Sequence, residues 1–150
     1  MANEYQIEIV DTDVELEVTI EGDQEITVEM EDSGPAGPTG PSSRRVTTLA
    51  DAATITPDVD VADIFLITLG GDRIIANPTG TPVDGNTMIE LRFTQGGAGG
   101  HQPIYGSKYH FSLDQPEPVL SSTPGKTDYV GFAYNALTDK YDCLAVSRGH

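Results

Sequence analysis

Thr123-Pro124-Gly125-Lys126-Thr127 ends as a phosphate-binding loop ends, in Gly-Lys-Thr. A phosphate cradle needs a Gly-rich loop feeding a helix N-terminus, where backbone N–H groups and the lysine meet phosphate oxygens. Here Leu120 occupies the position of the first glycine, and Asp128-Tyr129-Val130-Gly131-Phe132 reads as strand. Nucleotide binding is therefore not expected. A nucleophilic cysteine needs a nearby base and a depressed thiol pKa. Cys143 instead sits in the alternating run Tyr141–Val146, which predicts a small buried thiol. Asp114 and Glu117 could suggest the paired carboxylates of glycoside cleavage, but a chain with 24 Asp and Glu supplies such neighbours by chance. Asp11 and Asp13 lack the Asp/Asn–Gly–Glu spacing of a calcium loop. The three histidines, His101, His110 and His150, with one cysteine, do not make a single-chain zinc motif. The expectation is a protein that is not an enzyme, with no catalytic residue, no metal and no cofactor.

The remaining chemistry is adhesive. Gly96-Gly97-Ala98-Gly99-Gly100 has no helix after it, so it is no dinucleotide fingerprint. It reads as an exposed loop between strands, and such loops on rigid β scaffolds often make binding contacts. Gly99, His101, Tyr105, Tyr109 and His110 are the candidate exposed tip. They would meet a host-surface glycan or protein by stacking and hydrogen bonding.

The elements that must position this tip are strands. Candidate strands in residues 43–150 are Val46–Leu49, Ala53–Thr56, Ile64–Leu69, Arg73–Asn77, Thr87–Thr94, Lys108–Ser112, Tyr129–Asn135 and Lys140–Val146. Gly70-Gly71-Asp72, Asn77-Pro78-Thr79-Gly80, Asp84-Gly85-Asn86 and Thr138-Asp139 punctuate them as turns. No window has a 3.6-residue period, so the expectation is an all-β domain, a β-sandwich or small barrel. Pro116, Pro118 and Pro124 predict an irregular segment from Asp114 to Gly125.

Upstream lies Gly34-Pro35-Ala36-Gly37-Pro38-Thr39-Gly40-Pro41-Ser42, three Gly-X-Y triplets with Pro at each X. Only Gly fits at the axis of a collagen triple helix, and Pro pre-sets the polyproline II dihedrals. The triplets predict a trimer stalk built on Gly34, Gly37, Gly40, Pro35, Pro38 and Pro41. Its length is about 28 Å at 3.1 Å per residue. A Pro/Gly linker has the same composition and is the alternative. Three triplets cannot hold three chains together alone, so the flanking modules must also trimerise.

Residues 1–33 alternate with period two. Tyr5, Ile7 and Ile9, then Val14, Leu16, Val18 and Ile20, then Ile26, Val28 and Met30 share faces opposite acidic or polar residues. Asp11-Thr12-Asp13 and Gly22-Asp23 separate the runs, which predicts a three-stranded antiparallel β-meander. So small a ribbon cannot bury its apolar face alone. Ile7, Ile9, Val14, Leu16, Val18, Ile20, Ile26, Val28 and Met30 are therefore the candidate docking face.

Net charge is −16, and residues 1–33 hold half of the acids and none of the eight Lys and Arg. Nucleic acid and anionic lipid are not expected partners, because both require clustered cations; a basic protein partner is. MANEYQIEI has neither a basic n-region nor an apolar h-region, and no apolar run is long enough to span a bilayer. Synthesis in a cytoplasm without membrane insertion is expected.

The stretches DAATITPDVDVADIFLITLGG, IANPTGTPVDGNTMIELRF, YGSKYHFS and GKTDYVGFAYNALTDKYDCLAV, within residues 51–147, resemble a C-terminal domain that recurs in bacteriophage virion proteins. These are mostly tail-fibre or other appendage proteins with collagen-like segments upstream. Tyr105 and Tyr141 stand where that pattern more often has Trp, and this chain has no Trp. The resemblance implies a β-rich, trimeric, virion-exposed domain and no catalytic residue. The expected protein is a homotrimeric fibre or spike of the virion. Residues 1–33 dock on another virion protein of the tail, residues 34–42 form the stalk and residues 43–150 the distal knob. The alternatives are a capsid-surface head fibre or decoration protein and, in another class, a monomeric carbohydrate-binding module.

Overall fold

The computed structural model describes residues 43–150. The ribbon residues from Ile7 to Met30 and the triplets from Gly34 to Pro41 lie outside the described residues. The described residues form no helix and nine strands: β1 Val46–Leu49, β2 Thr54–Ile55, β3 Ile64–Leu69, β4 Arg73–Ile75, β5 Met88–Gln95, β6 Pro103–Tyr105, β7 Tyr109–His110, β8 Thr127–Asn135 and β9 Lys140–Ser147. The all-β expectation holds. Each of the eight expected strands is present, several of them shorter, and β6 is additional.

The strands make a six-stranded sheet in the order β1-β3-β5-β8-β9-β7 and a three-stranded sheet in the order β2-β4-β6. β1, β3 and β5 pair in parallel, with Val46 opposite Ile64 and Ile64 opposite Glu90. β2, β4 and β6 are also parallel, with Thr54 opposite Ile74 and Ile74 opposite Ile104. The chain thus makes three stacked coils, each crossing the large sheet and then the small one. Parallel neighbours need crossover connections of about a dozen residues or more; residues 50–63 and 70–87 provide them, and each carries a strand of the small sheet. The antiparallel hairpin β8–β9 pairs with β5 and extends the large sheet beyond the coils.

Alternation places one face of each long strand inward. Ile89, Leu91, Phe93 and Gln95 of β5 are buried, as are Asp128, Val130 and Phe132 of β8. With Phe65, Ile67, Leu69, Ile55 and Ile75 they form one core that draws on both sheets. Fully burying each large apolar side chain contributes about 1.5–3 kcal/mol. In β9 the alternation breaks: the register shifts between Gly131 and Phe132 of β8, and Leu144 and Ala145 are both exposed. The bulge turns Val146 back against the core.

Side chains in the turns tie each coil to the next. At the C-terminal ends of β1, β3 and β5, Arg73 donates two hydrogen bonds to Asp51, of 2.6 and 2.8 Å, and Asp72 accepts the Gln102 N–H. At the opposite end Thr81 donates its N–H to Asp60, and Asn77 accepts the Lys108 N–H while donating to Ser107. The IANPTGTP turn is fixed there by Thr79, whose N–H bonds Pro57 O and whose carbonyl accepts the Val59 N–H.

Candidate functional site

Strand polarity gives the domain two ends. The chain enters the described residues at Ser43, beside the start of β1. The proximal end comprises residues 43–45 and the turns 57–63, 76–87, 106–108 and 136–139. The distal end comprises the turns 50–53, 70–72, 96–102 and 121–126, with the C-terminal residues Gly149 and His150 bonded beside them. The His150 N–H donates to Thr127 O and its carbonyl accepts the Thr127 N–H.

The distal rim is held by a buried glutamine. Gln95, 2% exposed, donates its amide to His101 O and accepts the His101 N–H, so one side chain closes the 96–100 loop as a strand pair would. Gln102 does the same for Leu120, accepting its N–H and donating to its carbonyl. Gly99 has φ +71°, and a Cβ there would collide with Ser122 O. Only glycine fits where the 96–100 loop meets the 121–124 turn. The rim residues are Ala, Asp, Gly, His, Gln, Ser, Thr, Pro and Lys, with no large apolar side chain among them.

The five candidate tip residues do not come together. Gly99 and His101 lie on the distal rim. Tyr105 and Tyr109 are core residues, which corrects the expectation of an exposed aromatic tip. Tyr109 is buried, and the Tyr105 ring packs edge-on against Tyr109 and Phe111 at centroid distances of 5.2 and 5.0 Å. Burial pushes both phenols well above their ordinary pKa. The physical reason is alternation: Ile104 faces outward from β6, so Tyr105 turns inward. His110 is exposed toward the proximal end, on β7, with its Nδ1 2.7 Å from Asp142 Oδ1. The stacking partner that sequence reasoning missed is Tyr129. His150 lies parallel to its ring at 4.6 Å, and Arg92 sits 5.0 Å from its centroid.

The other sequence motifs resolve plainly. Gly125-Lys126 forms a turn in which the Gly125 N–H bonds Gln95 O, and Thr127 begins a strand, so no helix N-terminus follows. Cys143 is buried, and burial raises its thiol pKa. Asp114 and Glu117 are exposed in an irregular segment. Among the described residues no group of three metal-ligating side chains is found, and no helix is long and apolar enough to cross a membrane. At the proximal end a cavity of about 610 Å³ opens between Arg44, Arg45, Asp63, Val83, Asn86 and Met88. Arg45 spans its wall, donating to Asp63, to Asp60 O and to Val59 O.

The aspartates at the turns are expected to make the domain acid-sensitive. Hydrogen bonds from Arg73, Arg45 and Lys108 are the chief reason that Asp51, Asp63 and Asp139 titrate below the usual carboxylate range. A carboxyl depressed in the folded state stabilises fully above its unfolded pKa of about 4. That contribution disappears as pH falls through the lower, folded value. The melting temperature is therefore expected to hold from pH 7 to 5 and to drop below about pH 4. Each pair is partly exposed, so each contributes modestly. An Asp51→Asn/Asp63→Asn variant should melt lower at pH 7 and lose less on acidification, as followed by circular dichroism. An undiminished acid loss in that variant would assign the sensitivity elsewhere.

No family model, no curated protein and no solved structure matches this chain.

Proposed function

We propose that the protein is a structural component of a bacteriophage virion. It forms a short homotrimeric fibre, with residues 1–33 docked on a tail protein, residues 34–42 as a collagen-like stalk and residues 43–150 as an exposed sandwich-like knob. The observation that carries this reading is the strict Gly-X-Y period of residues 34–42, immediately upstream of Ser43. Two features of the knob support it. Ser43, the first described residue after the triplets in sequence, is at the proximal end of the domain, and the polar rim is at its other end. That rim is built on a rigid two-sheet scaffold by buried Gln95 and by the Asp51–Arg73 pair. The function is mechanical and adhesive: three rims on one stalk multiply weak contacts through effective concentration.

With Tyr105 and Tyr109 in the core, the adhesive contact rests on the backbone and small polar groups of the rim, His101 among them. The partner is a host-surface glycan or protein rich in hydrogen-bonding groups. A second reading, a head fibre or decoration protein on the capsid, rests on the same acidic anchor. The acidic run of residues 1–33 suits a basic docking site on a shell as well as one on a tail.

The test is the solution mass of the full chain by light scattering. Three times the 16.0 kDa chain mass supports the fibre. A single-chain mass makes the triplets a linker and favours a monomeric carbohydrate-binding module. Electron microscopy of virions carrying a C-terminal label then separates tail from capsid.

A further inference from the structure

We propose that the proximal end of the domain is the contact between its copies, centred on Val83, Met88 and Leu137. This inference rests on the trimer reading of residues 34–42 and adds the surface that the trimer uses. Three observations carry it.

Of the ten exposed large apolar side chains among the described residues, five gather at one end of the strands, while Leu113 and Val119 lie in the irregular segment, Leu144 on β9, and Ile74 and Ile104 on the small sheet. Val46, Val61, Val83, Met88 and Leu137 are all at the proximal end, and Leu137 is 94% exposed at the tip of the β8–β9 turn. The distal turns hold none. Leucine at a turn tip gains nothing for the monomer, since turn chemistry there is supplied by Asn135, which accepts the Leu137 N–H, and by Asp139 at φ 50°.

The occupant follows from the chain itself. A Gly-X-Y triple helix holds three chains parallel about one axis. Triplets that end at Ser42 therefore deliver three copies of Ser43, and with them three proximal ends, to one place. Burial of these five side chains between copies supplies the trimerisation that three triplets lack. A rotation that closes at three makes a ring and leaves no open face for further copies.

Three cations at this end are already paired within each copy, while Asp58, Asp60 and Asp84 accept hydrogen bonds from neutral groups. Arg44 pairs with Glu90 at 3.0 Å, Arg45 with Asp63 at 2.8 Å and Lys108 with Asp139 at 2.8 Å. A second copy therefore meets these ion pairs and the neutral-bonded Asp84 beside apolar side chains. The other paired apolar feature, Ile74 and Ile104 side by side on the outer face of the small sheet, lies away from residue 43 along the return strands and serves as the control.

The experiment uses the full chain and two readouts. Val83→Asp/Leu137→Asp and Ile74→Asp/Ile104→Asp variants are compared with the unmodified protein by light scattering across a dilution series. The proximal variant is expected to dissociate at a concentration about tenfold higher or more, as loss of central apolar contacts does, and the control variant to match the parent. Separately, Leu137→Cys and Ile104→Cys proteins are treated with a flexible bis-maleimide, Cys143 being buried in both. Leu137→Cys is expected to give covalent dimers and trimers, and Ile104→Cys none. A trimer that dissociates and cross-links through Ile74 and Ile104 instead overturns the proposal and leaves the fibre reading intact. So does a trimer indifferent to the proximal changes and not cross-linked at residue 137. A parent chain that is monomeric at every concentration overturns both.

Discussion

Phe132→Ala is expected to lower the unfolding free energy by about 3–5 kcal/mol, the range for deleting a fully buried aromatic ring. Phe132 is 1% exposed near the middle of β8, between β5 and β9 in the large sheet. Its ring meets Tyr105, Tyr109 and Phe111 at centroid distances of 6.1, 5.1 and 5.7 Å, all in edge-to-face geometry. Those three residues come from one stretch, β6 to just past β7, where the chain crosses from the small sheet to the far edge of the large one. Removing the ring unpins that crossing and leaves a cavity that three stiff aromatics cannot collapse into. Tyr141→Phe makes the contrasting case. Its hydroxyl is buried with no hydrogen-bond partner among the described residues, and desolvation pushes its pKa up to about 12. Deleting an unpaired buried hydroxyl removes a desolvation cost of about 1–3 kcal/mol, so this variant should be as stable as the parent or more so. Urea unfolding of both variants checks the pair, with unchanged slopes and midpoints displaced in opposite senses or only for Phe132→Ala. A Tyr141→Phe midpoint as low as that of Phe132→Ala would mean that the hydroxyl is bonded.

The strands were legible because period-two alternation is a local property, set by which face of the pleat meets the core. Ile64–Leu69 and Val46–Leu49 do not alternate; they are short runs rich in β-branched and apolar residues, and Gly70-Gly71-Asp72 closes the first of them. Pairing was not legible, because it depends on the connections. The Gly70-Gly71-Asp72 and Asp84-Gly85-Asn86 signals mark corners of a coil as readily as hairpin turns, and only the span from Leu69 to Met88 betrays a crossover. β6 escaped notice because Pro103 opens it. Proline is tolerated at a strand start on a sheet edge, where no ladder donor is needed, and β6 is such an edge.

The candidate site is legible in part, and its three errors, at Tyr105, Tyr109 and His110, have one cause. Gly99 and His101 were found through the glycine run, which does form a surface turn. Tyr105, Tyr109 and His110 were grouped with them by nearness in sequence. In a coiled chain, residues four apart across a turn and a strand face different layers, so nearness in sequence does not make a site. Gln95 and Gln102 were missed for a different reason. A buried glutamine that bonds both polar groups of a distant residue has no local signature; only an alternating strand ending in an inward polar residue, Phe93-Thr94-Gln95, hints at it. The gathering of Val46, Val61, Val83, Met88 and Leu137 at one end likewise emerges only when strand directions are known.

The same blindness applies to Asp128, whose replacement should be nearly as costly as that of Phe132. Asp128→Ala is expected to destabilise the domain by about 3 kcal/mol, and Asp128→Asn by more than half of that, because hydrogen bonds to a carboxylate are worth about 1.5–3 kcal/mol each. Asp128 is fully buried. One oxygen accepts the Ser121 hydroxyl and the Gly149 N–H, both at 2.7 Å, and the other accepts the Ser121 N–H. Three donors converge on two acceptors. Asparagine leaves one acceptor and turns an NH₂ group toward donors, which is why the near-isosteric change recovers little. Alanine strands all three donors in a site that solvent does not reach. The bonds hold the end of the irregular segment and the last residues of the chain against β8, where Arg148 also reaches Val119 O. Because Ser122 O abuts Gly99, the same carboxylate steadies the distal rim. Limited proteolysis should register this directly, with trypsin cutting after Lys126 and Arg148 faster in Asp128→Ala than in the parent at a temperature where both remain folded. Equal cleavage rates together with an unchanged denaturation midpoint would show that the rim stands without it, held by Gln95, Gln102 and the Asp51–Arg73 pair.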